Sequence, residues 1–196
     1  MYRYKPTRPD EQWHIDIMYI YIKGRWYFFV GVLDSYSRYI VYWDLVLSMD
    51  QGSIKGVIQE ALEKNPGKKP RIVHDNGSQF ISKEWRKLIK EYGLEDIRTR
   101  KNHPESNGKI ERFHRTIREA LSEEGIRDYW HAIEVIGEYV RYYNEKRLHA
   151  GIRYLRPVDY YRGNPEERIR ERKEKLEKGL KERIEKNKEK LKEEVA

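Results

Sequence analysis

Trp13-His-Ile-Asp16-Ile-Met-Tyr-Ile-Tyr-Ile22, followed by Lys23-Gly24 and then by Arg25 to Leu33, is the stretch that decides the fold. β-Branched and aromatic residues fill both runs, and Lys23-Gly24 is the turn between them. Tyr39 to Leu47 reads as a third strand, close enough in sequence for an antiparallel meander. Gln51 to Lys64 changes period: Ile54, Val57, Ile58, Ala61 and Leu62 share one helical face, and Asn65-Pro-Gly stops the helix. Arg71 to His74 is a short strand, Ser82 to Tyr92 a helix ended by Gly93, and Leu94 to Arg98 another short strand. Asn102 to Gly108 reads as a polar loop, and Asn107 to Ser122 and Arg127 to Lys146 as helices. A meander that feeds βαβ units predicts an α/β fold, a mixed five-stranded sheet covered by helices on both faces.

The chain has 196 residues, with 41 Lys plus Arg against 33 Asp plus Glu and a net charge of +8. Low hydropathy and 38% charged residues would suit a disordered chain, but 5 Trp, 16 Tyr and 4 Phe would not. Cysteine is absent, which excludes a disulfide scaffold, a thiolate zinc site and a Cys nucleophile. No apolar run is long enough to span a membrane, and the N-terminus lacks an apolar signal core. These features predict a soluble, intracellular, basic protein with nucleic acid as its first candidate partner.

Composition changes at Gly163-Asn-Pro165. Residues 165–196 hold 12 basic and 10 acidic residues and no aromatic, so +6 of the net charge belongs to the part before them. Ile169, Leu176, Leu180, Ile184, Leu191 and Val195 fall on one stripe of a single long charged helix. That stripe is either solvated or packs on a partner or on DNA. The expected division is a lead-in over 1–12, a core over 13–164 and the charged C-terminal helix over 165–196.

Three acids stand where acids are unexpected. Asp16 interrupts the most apolar strand, with apolar neighbours on both faces, and a buried carboxylate needs a cation, donors or a metal. Asp75 ends an apolar strand and opens Asp-Asn-Gly-Ser-Gln-Phe80. That sequence is also an ordinary turn signal, yet the carboxyl end of a strand in an open α/β sheet is where sites form. Glu111 lies one turn into a helix whose apolar face is Ile110, Phe113, Ile117 and Leu121, with Arg115 and Arg118 on its own stripe. Two Asp and one Glu suit Mg²⁺ or Mn²⁺ and not zinc. Two such ions clamp the attacking and leaving oxygens of a phosphodiester displacement.

With 35 residues between Asp75 and Glu111 and Trp-x-x-Asp upstream, the chain resembles the catalytic core of retroviral-type integrases and the related insertion-sequence transposases. The motifs that carry the resemblance are Trp13-His-Ile-Asp16, Val32-Leu-Asp-Ser-Tyr-Ser-Arg38, His74-Asp75-Asn-Gly-Ser-Gln-Phe80, Ser106-Asn-Gly-Lys-Ile-Glu111-Arg-Phe-His114, and Tyr143-Asn-Glu-Lys-Arg147-Leu-His149 with Pro157 beyond. The resemblance implies a ribonuclease H-like fold, with Asp16, Asp75 and Glu111 as ligands of two Mg²⁺ or Mn²⁺ ions. It also implies hydrolytic nicking of DNA at element ends, then strand transfer by the freed 3′-hydroxyl. DNA at element ends and target would be the partner, held by a homo-oligomer in a prokaryotic, nucleoid-associated, cytoplasmic setting.

Bacterial members of that group usually carry an N-terminal helix-turn-helix reader. Here the first acid comes early, so either the chain is the core alone or a partner supplies end recognition. Glu105 stands where Gln is usual, and Ser35 follows Asp34 where a second acid is common. Asp34 and Asp44 read as structural. Asn76, Gln79, Asn107, Lys109, Arg112, Arg115 and Arg118 are the expected DNA contacts, with Arg98, Arg100 and Lys101 approaching the same loop. The competing reading is a DNA-binding or assembly module, derived from a transposase, that has lost autonomous catalysis. A nuclease on RNA–DNA hybrids is a weaker third.

Overall fold

The structure, a computed structural model, describes residues 4–99 and 108–195. The strands are β1 (Gln12–Ile22), β2 (Arg25–Asp34), β3 (Ile40–Val46), β4 (Arg71–His74) and β5 (Glu95–Arg98). The helices are α1 (Gln51–Glu63), α2 (Lys83–Glu91), α3 (Gly108–Glu124), α4 (Tyr129–Glu145), α5 (Pro157–Tyr161) and α6 (Pro165–Val195). One sheet runs in the order β3-β2-β1-β4-β5. The β3-β2-β1 meander is antiparallel, and β4 and β5 continue it in parallel. The expected α/β architecture is thus present, with the polar loop expected before α3 lying almost wholly outside the described residues.

Element ends follow their caps. Asp50, Ser82 and Asp128 stand outside their helices, each side chain accepting a backbone N–H of the first turn, from Ser53, Trp85 and His131. This is why the second and fourth helices begin one and two residues later than periodicity alone suggests.

β1 is central, and its two faces bury different cores. Trp13, Ile15, Val30 and Val32 pack with Ile54, Val57 and Ile58 of α1 and Trp85 and Leu88 of α2. Met18, Ile20, Phe29 and Leu33 pack with Ile110, Phe113 and Ile117 of α3 and Ile136 and Val140 of α4. Burial on both faces explains the near-continuous apolar run of β1. It also places Asp16, which shares a face with Met18 and Ile20, under α3 and not at a solvent-facing edge.

Among the described residues, the side-chain ties of α6 to the rest of the chain lie at its start. Arg168 lies 3.9 Å from Asp159, and Arg172 Nη1 donates to the carbonyl of Tyr154. Beyond that, Leu176, Leu180 and Ile184 are exposed. Among the described residues no helix is long and apolar enough to cross a membrane.

Candidate active site at the carboxyl ends of the parallel strands

β4 pairs with β1 only at Gln12, Trp13 and His14. Asp16 therefore lies just past the paired segment of β1, and Asp75 directly follows β4. Because the two strands are parallel, both acids stand at the same end of the sheet. Gly31 is the residue of β2 opposite Asp16. A side chain there would meet the Phe29 ring at 2.8 Å and Ile110 Cδ1 at 3.8 Å. The bare position lets Ile110 seat on the sheet, and this brings the start of α3, with Glu111, over Asp16. Glycine inside a strand is the sequence sign of such a close approach.

Electrostatics join the three acids. Burial pushes the Asp16 carboxyl up to about 7, and the charges of Asp75 and Glu111 add to the rise while the Ile17 N–H opposes it. Asp75 and Glu111 are exposed. Asp75 Oδ1 accepts the Gly77 N–H at 2.9 Å. Behind it the buried His74 ring bridges the Asp75 carbonyl (2.5 Å) and Asp96 Oδ1 (2.7 Å), and Trp85 Nε1 donates to the same Asp96 oxygen. Burial works against ionisation of Asp96, but the hydrogen bonds from His74 and Trp85 hold it below the usual carboxylate range.

The all-oxygen donor set fits a hard divalent cation in type, and the rise of Asp16, owed first to burial and then to the charges of Asp75 and Glu111, is one that such a cation would offset. Among the described residues, however, no three His, Cys, Asp or Glu side chains stand close enough together to hold a metal ion. Like charges repel, and Asp75 directs one oxygen to its own turn.

The expected DNA contacts divide. Arg112, Arg115 and Arg118 project from the exposed side of α3, and Arg98 is exposed at the end of β5. Asn76 Nδ2 already donates to the Thr99 carbonyl at 2.9 Å, and Lys109 Nζ to the backbone and hydroxyl oxygens of Ser35 at 2.8 Å each. Half-buried Gln79 folds back against Gly77. Asn107, Arg100, Lys101, His103 and Glu105 lie outside the described residues. Asp34 is fully buried and accepts from the Ser37 N–H and hydroxyl and from the Asp10 N–H, a structural use. Asp44 Oδ1 accepts the Leu45 N–H.

Sequence reasoning gave His114 no firm role. It follows Ile110 by one turn on the buried side of α3, and its Nδ1 stands 3.4 Å from Asp16 Oδ2. Sequence reasoning also passed over Gly31 and Asp96, and quoted the half-buried Arg38 only as the end of a motif.

This strand order, with carboxylates after β4, on β1 and on α3, defines the ribonuclease H-like α/β class. Family models described as Integrase core domain match residues 6–104 and 92–157. The chain belongs to the integrase core domain family. It is 30% identical over 164 residues to the transposase for insertion sequence element IS904 of Lactococcus lactis subsp. lactis (strain IL1403), covering 82% of this chain and 65% of that protein. It is 28% identical over 160 residues to an uncharacterised 31 kDa protein of insertion element IS600 of Shigella sonnei, covering 80% and 59%. The chain thus spans about two thirds or less of the length of these curated relatives. In fold it is similar to the catalytic core domain of HTLV-2 integrase, solved in complex with magnesium in a dimeric form (TM-score 0.65, 16% identity, 80% of this chain and 99% of that one).

Proposed function

We propose that the chain is the catalytic core of a metal-dependent DNA transposase that nicks element ends and joins the freed 3′-hydroxyl to target DNA. The observation that carries this reading is the placement of Asp16 and Asp75 at the same end of the parallel strands β1 and β4, with Glu111 in the first turn of the helix that packs on the Asp16 face of β1. Asp16, Asp75 and Glu111 would hold two Mg²⁺ or Mn²⁺ ions. Bound there, the ions supply activation of the attacking oxygen and stabilisation of the leaving one. The chain's own groups do the rest. α3 carries Glu111 against the sheet, His74 and the Gly77 N–H fix the loop that bears Asp75, and Arg112, Arg115 and Arg118 track the phosphates. Strand transfer needs two ends held together, so a homo-oligomer on DNA at the prokaryotic nucleoid is part of the proposal, as is a partner or further segment that reads the ends. The HTLV-2 core, which is dimeric in one solved form, supports the oligomer.

The test is incubation of the chain with a labelled duplex and Mn²⁺ or Mg²⁺ beside its Glu111→Gln and Asp75→Asn variants. The expected result is loss of nicking and joining in both, with DNA affinity and melting temperature nearly unchanged. Full metal-dependent activity in either variant removes these residues from the ligand set. The separation of the three acids favours the second reading, a DNA-binding or assembly module without autonomous catalysis. That reading predicts DNA binding with no metal-dependent nicking by the unaltered chain.

A further inference from the structure

The β1–β2 hairpin is covered on one face and bare on the other. Ile20 and Ile22 pack with α3 and α4, and the Tyr27 ring lies 5.2 Å from that of Tyr129. The opposite face sets Tyr19 of β1 beside Phe28 of β2, and Tyr21 beside Trp26. The core beneath α1 and α2 takes in Ile17 of this face and ends there. Past it, Tyr19 is 51% exposed, Tyr21 60% and Trp26 54%. Tyr19 meets Phe28 at 5.2 Å and Trp26 at 6.3 Å, both edge to face, and Tyr21 meets Trp26 at 5.0 Å with the rings tilted by 56°. These contacts hold the rings in place and leave flat faces open to solvent. A contiguous aromatic patch left in water marks an interaction site.

The same tyrosines border a groove. β4 leaves β1 after His14, so beyond that point β1 has no strand on that side among the described residues. Between the open edge, Tyr19 to Ile22, and the end of α3 lies a groove of about 380 Å³, lined on the helix side by Arg118, Leu121 and Ser122. Among the described residues Arg118 is the one charged side chain of the lining, and no acid joins it. An open strand edge also presents backbone N–H and C=O groups. Charge decides what fits here. No acid occurs from Ile17 to Leu33, while Lys23 and Arg25 are exposed at the hairpin end. Asp44 of β3 and Asp50 beyond it accept hydrogen bonds from their own segments. Aromatic faces beside cations suit a polyanion with π-faces. Those faces are free only in unpaired bases, because a duplex hides them.

We propose that Tyr19, Tyr21 and Trp26 form a stacking platform for unpaired bases of a DNA strand whose phosphates follow Arg115 and Arg118 along α3. Tyr19 and Tyr21 stand three and five residues past Asp16 on β1, roughly 10–17 Å at the rise of a strand. The bases held there lie a few nucleotides from the phosphate at the acids. This rests on the reading of the chain as a DNA-acting core and adds to it a site for single-stranded DNA on the hairpin.

The test is fluorescence anisotropy of the full chain on a short labelled oligothymidylate, and on a labelled duplex, over a salt series without divalent metal. Tyr21→Thr and Trp26→Thr keep a residue that suits a strand. Each is expected to weaken oligothymidylate binding at least about fivefold. Neither should change the slope of log affinity on log salt, because no phosphate contact is lost, whereas Arg118→Gln should lower it by about 0.7, the single-strand value for one contact. Tyr21→Phe keeps the ring and is expected to bind as the parent does. Tyr21→Leu keeps the bulk without a flat face and is expected to bind as Tyr21→Thr does. This pair decides the matter even where a threonine variant melts early. Tyr142→Ala, the loss of an exposed aromatic of α4, should leave binding in place. Parent affinity in both Tyr21→Thr and Trp26→Thr overturns the platform. So does an equal loss on the duplex, or a changed sedimentation coefficient with oligothymidylate binding intact, since the face would then join two copies of the chain. An unaltered chain that binds neither DNA overturns the transposase reading as well. One that nicks duplex with Mn²⁺ but does not hold oligothymidylate overturns the platform alone.

Discussion

His114 Nδ1 stands 3.4 Å from Asp16 Oδ2, yet the pair is not an ion pair at neutral pH. Burial, helped by Arg118, pushes the imidazole down to about 3, so it is neutral, while burial and two neighbouring carboxylates push Asp16 up to about 7. The two act on stability in opposite directions. Asp16 keeps a proton in the folded state that the unfolded chain releases from about pH 4, so it costs stability as pH rises to 7 and above. His114 refuses a proton that the unfolded chain accepts below 6.5, so it costs stability as pH falls towards 3. In chelator, Asp16→Asn is expected to be more stable than the parent at pH 8, by at most about 4 kcal/mol. His114→Gln is expected to flatten the fall in stability between pH 6.5 and 4. His149, pushed down to about 4 by burial and Arg147, leaves a residual slope in both. Denaturant unfolding across pH decides this, and identical pH profiles for Asp16→Asn and the parent would refute it.

Gly31 makes a second prediction. Its added methyl would strike Phe29, whose ring is fully buried and in contact with Trp43, Phe113 and His114. Such a ring has nowhere to swing, so overpacking in Gly31→Ala is expected to cost about 1–3 kcal/mol. The clash falls between β2 and α3. Metal-dependent nicking should therefore drop further than the loss of folded protein explains, as Glu111 moves from Asp16. An unchanged denaturation midpoint would show that the ring yields.

Much of this was legible beforehand, for physical reasons. The period change from 2 to 3.6 after Leu47 showed the order of elements, and an acid inside the apolar Trp13 to Ile22 run marked a candidate site because burying a charge is costly. The turn chemistry of Asp75-Asn76-Gly77 was also legible, and it does form a turn, with Asp75 accepting the Gly77 N–H. What could not be read depends on contacts between distant segments. Asp96 looks like a surface acid on a short strand until β5 pairs with β4 and sets it against His74 and Trp85. Arg38 looks like any turn cation until the segment after α4 brings Gly151 beside its guanidinium. Lys109 and Asn76 looked like free polar groups, and their partners Ser35 and Thr99 lie 74 and 23 residues away.

Asn144 shows the same dependence and can be tested. It belongs to the Tyr143-Asn144 motif, but its amide completes the outer strand of the sheet. Oδ1 accepts the Ile40 N–H at 2.8 Å, and Nδ2 donates to the Ile40 carbonyl at 3.0 Å, both buried. β3 is an edge strand, so nothing else in the sheet serves that side. Asn144→Asp removes the donor and buries a charge, and Asn144→Leu leaves both backbone groups unpaired. Each is expected to cost about 2–4 kcal/mol. Hydrogen exchange at the Ile40 amide should accelerate in Asn144→Leu by far more than at the core amides of β1, and uniform acceleration would mean that the loss is merely global.

Lys109 separates anchoring from DNA contact. Its Nζ holds two oxygens of Ser35 and so ties the first turn of α3 to the β2–β3 turn, whereas Arg115, nearly two turns further on, is exposed. Lys109→Met removes a charge-assisted hydrogen-bonded anchor. It is expected to cost about 1–3 kcal/mol of folding stability, while Arg115→Gln stays within about 0.5 kcal/mol of the parent. On DNA the order should reverse. Arg115→Gln lowers the salt slope by about one phosphate contact, and Lys109→Met shifts affinity with little change of slope, because its charge is already engaged by Ser35. Equal loss of slope in the two variants, with Lys109→Met fully stable, would return Lys109 to the DNA-contacting set and leave Ile110 and Phe113 as the described anchors of the start of α3.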